Sequence, residues 1–407
     1  MPKSAIHLRT LLILSLSVVA QLPRFTLAQQ PPPAGIAAGE APPAPIPPAF
    51  PPASPNLDYG ARMRIVTRLQ GVDDPERLND VSQLAEADLY MSGQLHRMIK
   101  WQAGVTFAYA GTLGASNLVQ VQPLDVIARF EPFPELSFAV GRMIIVADRF
   151  LPGGPWNTDE FYYHGFAGSV PVPALPKSGP NGRDLGVNMW GAPLAGHIKY
   201  YLGAYQLHDP GLDPLLSGRL QVTLWNGEPA FYQRTTYFGT RDILSIGGGA
   251  QYQKAGSVQS LPAPQANTMA PPPLTDDYWF ATADLVFEKT LGDSGTLSAY
   301  GAYSKFGGDY RRWDHYWLAS LGYMFPQTIG IGKVRATVRY QRGLEQADAA
   351  QASSILDAQL SYNVMAWFAR LQLGYRRMEL FQRATTSAAA QLAAGNQIYL
   401  GVTLADP

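Results

Sequence analysis

The sequence of 407 residues contains no cysteine, and its one pronounced apolar run lies close to the start. Without cysteine, the protein has neither a disulfide framework nor a zinc–thiolate site. Beyond residue 28, no stretch reaches the roughly 18 apolar residues that a transmembrane helix requires. If the protein crosses a membrane, strands must therefore do the crossing.

Charge is scarce as well, because only 15% of the residues are charged and the two signs balance over the whole chain. Without Lys3, Arg9 and Arg24, 28 basic residues face 31 acidic ones, a net charge of −3. This balance argues against nucleic acid or another polyanion as the partner.

The first 28 residues have the pattern of a secretory signal peptide. Lys3 and Arg9 precede a ten-residue apolar stretch, and small residues at 26–28 offer a cleavage site. An uncleaved membrane anchor is the alternative. Residues 29–57 follow with 11 prolines and almost no charge, which predicts a flexible linker. The linker is either passive or a ligand for a domain that binds proline-rich segments.

From residue 58 to residue 407, segments of alternating polar and apolar residues recur about sixteen times. In the segment 333–342, one face is wholly polar and the other carries Val334, Ala336, Val338 and Tyr340. A strand with one polar face needs water on that side. The fold class predicted is all-β, a transmembrane antiparallel β-barrel of about 16 strands behind the signal peptide and linker. The strands of a soluble β-sandwich also alternate polar and apolar residues, but a sandwich agrees less well with the number of strands and with their aromatic faces.

The connections between these segments alternate in length, and this parity supports a barrel. Long connections follow odd-numbered strands, whereas mostly short ones follow even-numbered strands, as in outer-membrane barrels. The parity predicts periplasmic termini. The stretch 227–242 is the exception, because it is long on the short side.

Several motifs resemble the phosphate-selective porin O/P family. They are Gly182-Arg183-Asp184-Leu185-Gly186-Val187, Tyr200-Tyr201-Leu202-Gly203, Leu224-Trp225-Asn226-Gly227 and the stretch from Tyr237 to Gly247. The resemblance extends over roughly residues 59–404. It implies a sixteen-stranded porin of the bacterial outer membrane, a homotrimer in contact with lipid, that passes small hydrophilic solutes or anions.

Alternation places several charged residues on the water-filled side of the strands. The predicted pore-lining residues are Arg62, Arg64, Arg129, Arg219, Arg335, Arg339, Arg370, Asp125 and Asp284. Opposite charges on facing sides of a pore select between anions and cations. The same residues could instead form pairs between neighbouring strands and only keep the pore wall hydrated. Because the net charge is negative, we expect only a mild anion preference.

The long connection 148–183 is the candidate for a loop that narrows the channel. Its predicted constriction residues are Asp159, Glu160, Tyr162, Tyr163 and His164. A loop on the outer surface is the alternative. The sequence contains no Gly-x-Ser-x-Gly elbow and no histidine pair with metal-ligand spacing, and we expect neither an enzyme, nor a metal site, nor a cofactor. The function expected is passive diffusion through a porin; a non-conducting structural or adhesive barrel is the alternative.

Overall fold

The computed structural model describes residues 56–70, 78, 80–112, 118–154, 156–162, 177–206, 213–258, 275–308, 313–345, 352–379 and 395–405. All of these lie in the compact unit Pro52–Pro407. The predicted signal peptide and nearly all of the predicted linker fall outside the described residues, and the first strand begins at Asn56.

Sixteen strands form one closed antiparallel barrel, in which each strand pairs with its neighbours in the chain and β1 pairs with β16. The prediction of a sixteen-stranded barrel is therefore confirmed. The strands are β1 Asn56–Gln70, β2 Asp80–His96, β3 Ile99–Thr112, β4 Leu118–Phe133, β5 Leu136–Ile144, β6 Arg183–Gly191, β7 Ile198–Tyr205, β8 Leu215–Thr223, β9 Ile243–Val258, β10 Thr275–Thr290, β11 Thr296–Gly307, β12 Trp313–Ile329, β13 Gly332–Glu345, β14 Ala352–Asn363, β15 Ala369–Glu379 and β16 Gly395–Ala405.

Helical structure is confined to single turns. Four-residue helical turns occur at Phe150–Gly153 and Pro193–Gly196, and 3-10 turns occur at Pro180–Gly182 and Gly292–Ser294. Within the described ranges, no helix has the length and apolar character needed to cross a membrane.

The two faces of the wall differ as the alternation predicts. On β13, Val338 points outward and is 50% exposed, whereas Thr337 and Arg339 point inward and are almost completely buried. Aromatic pairs bracket this exposed apolar band: Trp317 and Tyr340 have ring centroids 5.3 Å apart on one side, and Tyr323 and Phe325 lie 5.1 Å apart on the other. An apolar band between aromatic girdles is the outer surface of a membrane barrel.

The barrel has two distinct ends. Both described chain ends, at Asn56 and Ala405, lie at the end with the short connections, which we call the turn end. The opposite end, which we call the loop end, carries the connection of residues 145–182 between β5 and β6.

Part of the chain folds into the lumen. Residues 145–162, which we call the inner segment, leave β5 at the loop end and enter the barrel. Their apolar side chains form a core with inward-facing residues of the wall; this core includes Ile145, Val146, Phe150, Leu151, Tyr201, Tyr205, Phe280 and Tyr300. Burying this apolar surface stabilises the segment inside the barrel.

Candidate functional site

The inner segment enters the lumen through a gap that glycine provides. The backbone of Ala147 passes so close to β9 that a Cβ atom on Gly249 would overlap the carbonyl oxygen of Ala147. The hydroxyl of Ser217 on β8 donates a hydrogen bond of 2.6 Å to the carbonyl oxygen of Val146. These contacts fix the start of the inner segment against β8 and β9.

A buried aspartate precedes the helical turn of the inner segment. Asp148 Oδ1 accepts a hydrogen bond of 2.7 Å from the backbone N–H of Leu151. Burial raises the pKa of Asp148 to about 6, although this hydrogen bond and the charge of Arg219 oppose the shift. Asp148 is therefore a carboxyl group that gains and loses its proton near neutral pH.

The far part of the inner segment crosses the lumen to the opposite wall. Asp159 Oδ2 accepts hydrogen bonds from Arg335 Nε at 2.7 Å and from the hydroxyl of Thr337 at 2.9 Å, both on β13. Glu160 accepts from Tyr300 at 2.5 Å and from Ser320 at 2.7 Å. Both acidic side chains thus anchor the inner segment to β11, β12 and β13.

Arginines of two strands, β13 and β15, complete this anchor. Arg339 Nη2 donates to the carbonyl oxygen of Tyr162 at 2.9 Å and to Asp357 Oδ2 at 2.8 Å. Arg370 Nη1 donates to the carbonyl oxygens of Thr158 and Asp159, each at 3.1 Å. The guanidinium of Arg376 lies 4.4 Å from the centre of the Tyr162 ring.

A second segment enters the lumen from the turn end. Residues 224–242, which we call the return segment, connect β8 to β9 and fold back into the barrel. Lys199 Nζ donates a hydrogen bond of 2.7 Å to the carbonyl oxygen of Ala230. The hydroxyl of Tyr201 donates one of 2.6 Å to the carbonyl oxygen of Phe231. Glu288 on β10 accepts from the backbone N–H of Tyr237 at 2.9 Å and of Gly239 at 2.7 Å. The exceptional length of this connection is thus explained by its path inside the barrel.

Among the described residues that form ion pairs inside the lumen, those with the more exposed side chains lie on one side. The lumenal faces of β1–β4, which we call the accessible strip, carry Arg62, Arg64, Glu86, Lys100, Arg129 and Glu131. The side chains of Lys100, Arg62 and Arg129 are 37%, 27% and 23% exposed. By contrast, those of Arg219, Arg335 and Arg339 are 0–2% exposed.

Both segments border this strip. The guanidinium of Arg62 lies 4.7 Å from the centre of the Trp156 ring of the inner segment. The hydroxyl of Tyr232 of the return segment donates 3.3 Å to Asp125 Oδ2 on β4. Phe161 of the inner segment also reaches β1, because its carbonyl oxygen accepts a hydrogen bond of 3.0 Å from Arg64 Nη1. Trp156, Phe161 and Tyr232 therefore mark how far the two segments extend toward β1–β4.

The residues predicted to line a pore fall into two groups. Arg62, Arg64 and Arg129 belong to the accessible strip. The others lie on the lumenal face but are buried beneath or beside the inner segment; they are Arg219, Arg335, Arg339, Arg370, Asp125 and Asp284. Their participation in conduction stays a prediction.

The structure describes three of the five residues predicted for the constriction, and these three lie close together. Asp159, Glu160 and Tyr162 lie inside the barrel, while Tyr163 and His164 fall outside the described residues. The sequence analysis missed Arg149, Trp156 and Glu228. The unusual length of 227–242 was the available signal for Glu228. Arg149 and Trp156 lie in the connection 148–183, which the sequence analysis singled out by its length, but no alternation marked these two residues within it.

The described part of the chain contains no group of three or more histidines and carboxylates that could hold a metal ion. It does contain several ion pairs that are shielded from solvent. One of them, Arg183 with Asp125, has an Nε to Oδ1 distance of 2.9 Å and ties β6 to β4.

The chain matches no known protein-family model and no curated protein. Solved structures are nevertheless similar in fold. OprB of Pseudomonas putida at high pH has a TM-score of 0.54 and 10% identity, covering 86% of this chain and 94% of that one. A loop-deletion mutant of OmpT, an outer membrane protein of Vibrio cholerae, has a TM-score of 0.53 and 14% identity, covering 87% and 100%. OmpF of Salmonella typhi in complex with daunomycin has a TM-score of 0.51 and 10% identity, covering 86% and 97%.

At these identities the similarity establishes the fold. A closed barrel of sixteen strands, with an apolar outer band between aromatic side chains, satisfies every backbone group inside a membrane and leaves no open edge. The chain is accordingly a β-barrel protein of the bacterial outer membrane.

Proposed function

We propose that this protein is a porin through which small hydrophilic solutes or ions diffuse passively, with a mild preference for anions. The accessible strip carries the proposal. It combines four basic side chains with Glu86, Glu131 and the buried Asp88 on the lumenal faces of β1–β4, where the side chains of Arg62, Lys100 and Arg129 stay 23–37% exposed. A net positive, solvated strip raises the local concentration of anions.

The preference is mild because the basic groups are neutralised in part. Lys100 Nζ lies 2.5 Å from Glu131 Oε2, and Arg64 Nη2 lies 2.6 Å from Glu86 Oε2. Such pairs leave no cluster of unpaired cations that would hold a phosphate. The resemblance to the phosphate-selective porin O/P family supports a porin, and we extend it to a general anion preference rather than to phosphate.

We also propose that the inner segment is the constriction and that three copies assemble. The inner segment is held across the lumen by Asp159, Glu160 and Tyr162. The residues predicted to line the pore form the wall of this passage. The structurally similar OmpT of Vibrio cholerae is described in a trimer form. Light scattering of the purified protein in detergent, corrected for bound detergent, should give three times the mass of the mature chain.

A non-conducting structural or adhesive barrel is the second candidate. It is favoured by the meeting of the inner and return segments inside the lumen, where they bond to each other and to the wall. Insertion of the purified protein into a planar lipid bilayer separates the two candidates. A porin gives stepwise increases in current, whereas a plugged barrel gives none.

The anion preference is tested with Lys100→Glu combined with Arg129→Glu. In a salt gradient, the zero-current potential should shift toward cation preference at low salt. The shift should shrink in stronger salt, because the Debye length falls from about 10 Å at 0.1 M to about 3 Å at 1 M. Lys289→Glu, a matched change at an exposed pair with Asp242 outside the lumen, should leave the potential unchanged. An unchanged potential in the double variant would remove the accessible strip from the conduction path.

A further inference from the structure

The inner and return segments enter from opposite ends of the barrel and bond to each other inside it. The backbone N–H of Thr235 donates 3.1 Å to the carbonyl oxygen of Asn157. The backbone N–H of Asp159 donates 3.0 Å to the hydroxyl of Thr235. The two segments therefore share a small interface of their own, apart from their contacts with the wall.

Arg149 is the strongest link in this interface. Its Nη1 and Nη2 atoms lie 2.9 and 2.6 Å from the two carboxylate oxygens of Glu228. Its Nε and Nη2 atoms also donate to the carbonyl oxygen of Arg234, at 3.1 and 2.7 Å. A two-pronged arginine–carboxylate pair fixes both distance and orientation. Arg149 of the inner segment is thus held by two residues of the return segment.

The partner carboxylate is kept charged in a buried place. Burial alone would raise the pKa of Glu228, but the charge and hydrogen bonds of Arg149 outweigh burial and lower this pKa to about 2. Removing one partner of a buried pair leaves the other charge without compensation, which is strongly unfavourable. The link therefore depends on both residues.

The return segment is the better anchored of the two near this link. Its backbone is bonded to Lys199 and Tyr201 on β7 and to Glu288 on β10. The inner segment is fixed to the far wall at residues 158–162 and to β8 at Val146. Between these points, Arg149 connects the helical turn of the inner segment to the return segment, and its Nη1 atom also donates to Gln221 on β8 at 3.2 Å and to Ser245 on β9 at 3.3 Å.

We propose that the return segment is a latch that holds the inner segment in place, and that Arg149 and Glu228 are positioning residues that set the width of the passage along β1–β4. Trp156 follows Arg149 by seven residues and lies against Arg62 of the accessible strip. Tyr232 follows Glu228 by four residues and reaches Asp125. Releasing the latch frees Trp156, the border that the inner segment contributes. This inference rests on the proposed porin function.

Single-channel recordings of Glu228→Gln test the latch. Glutamine keeps the size of the side chain but removes the charge, and we expect a higher conductance and entry of larger neutral polymers than in the parent protein. Ser304→Ala is the control, because it removes a buried hydrogen bond of 2.9 Å to Thr282 that joins two strands of the wall, β11 and β10. It should leave the conductance and the polymer size limit at the parent values.

A disulfide then separates a latch from general loosening of the fold. Because the chain has no cysteine, Asn157→Cys with Thr235→Cys adds a single thiol pair at the interface of the two segments. In the Glu228→Gln background, the oxidised form should regain the parent conductance, and a reducing agent should release it again.

The outcomes separate the latch from the porin function. A parent protein without conductance would refute the proposed function itself. A conducting parent, with Glu228→Gln at parent conductance or with equal increases in Glu228→Gln and Ser304→Ala, would refute the latch alone. If the disulfide pair does not form, a protease-protection assay of the inner segment in both variants replaces it, and equal protection would also refute the latch.

Discussion

Replacing Val338 by arginine tests whether the outward face of β13 lies in hydrocarbon. Val338 is 50% exposed, and its register neighbours Leu321 and Ala358 also point outward. Ile331, in the turn before β13, is 76% exposed and serves as the matched control. Both substitutions add the same charge to the same side of the barrel, but at different depths.

The expected difference follows from the height of the strand. Seven residues separate Val338 from Ile331, which corresponds to about 23 Å along the strand. With a strand tilt of about 40°, the vertical separation is about 18 Å, more than half of the roughly 25 Å apolar band. Val338→Arg should therefore lower the free energy of unfolding by about 2–4 kcal/mol, and Ile331→Arg by about 0–1 kcal/mol.

The assay is a reversible urea titration of folding into lipid vesicles, followed by tryptophan fluorescence. The chain has 8 tryptophans, so the signal needs no added label. Equal losses of stability at the two positions would show that the assignment of Val338 to mid-membrane depth is wrong. A larger loss at Ile331 would invert the placement of the barrel in the membrane.

Three further results are expected. A cysteine replacing the exposed Asp277 at the loop end should react with an impermeant thiol reagent on intact cells, whereas one replacing Phe133 at the turn end should not; the opposite pattern would reverse the orientation. The raised pKa of Asp148 means that its contribution to stability is complete below pH 3.8 and is lost as the pH rises through about 6. Asp148 should therefore make the free energy of unfolding up to about 3 kcal/mol higher at about pH 4 than at about pH 8. Asp148→Asn should remove this part of the pH dependence, and an unchanged difference between the two pH values would contradict the role of Asp148. Gly249→Val should displace the inner segment at Ala147 and increase protease cleavage there in the folded barrel, while parent-like cleavage would contradict the tight passage.

The barrel could be predicted from the sequence because lipid and water impose opposite demands on alternate residues. The structure has sixteen strands, where the sequence predicts about sixteen alternating segments. On β13, for example, the alternating segment 333–342 lies within the strand Gly332–Glu345. The alternation continues to the strand ends, so it does not show at which residue each turn begins.

The filling of the lumen could not be predicted in the same way. The length of 227–242 marks an exception, but length carries no information on whether a connection turns inward or outward. Arg149 and Trp156 belong to no periodic segment, so no alternation assigns them a face. Their roles depend on partners such as Glu228, 79 residues away in the chain.

The glycines 247–249 show a similar limit. Consecutive glycines inside a strand often mark a bend or bulge. The pairing of β9 with both neighbours nevertheless continues without a register shift at these residues. Gly249 leaves room for the backbone of Ala147, and Gly247 leaves room for the guanidinium of Arg219. The need for this clearance arises only once the inner segment occupies the lumen.

The anchoring of Asp159 has a consequence for the order of events during assembly. Its partners on β13 and β15 follow it by 176 to 213 residues. Contacts between such distant parts of a chain form late, since a long loop must first be closed. The inner segment can reach its final place only after the last strands have arrived. A barrel stalled before β13 would therefore expose a buried acidic loop, and a protease that recognises this loop would selectively remove incomplete barrels.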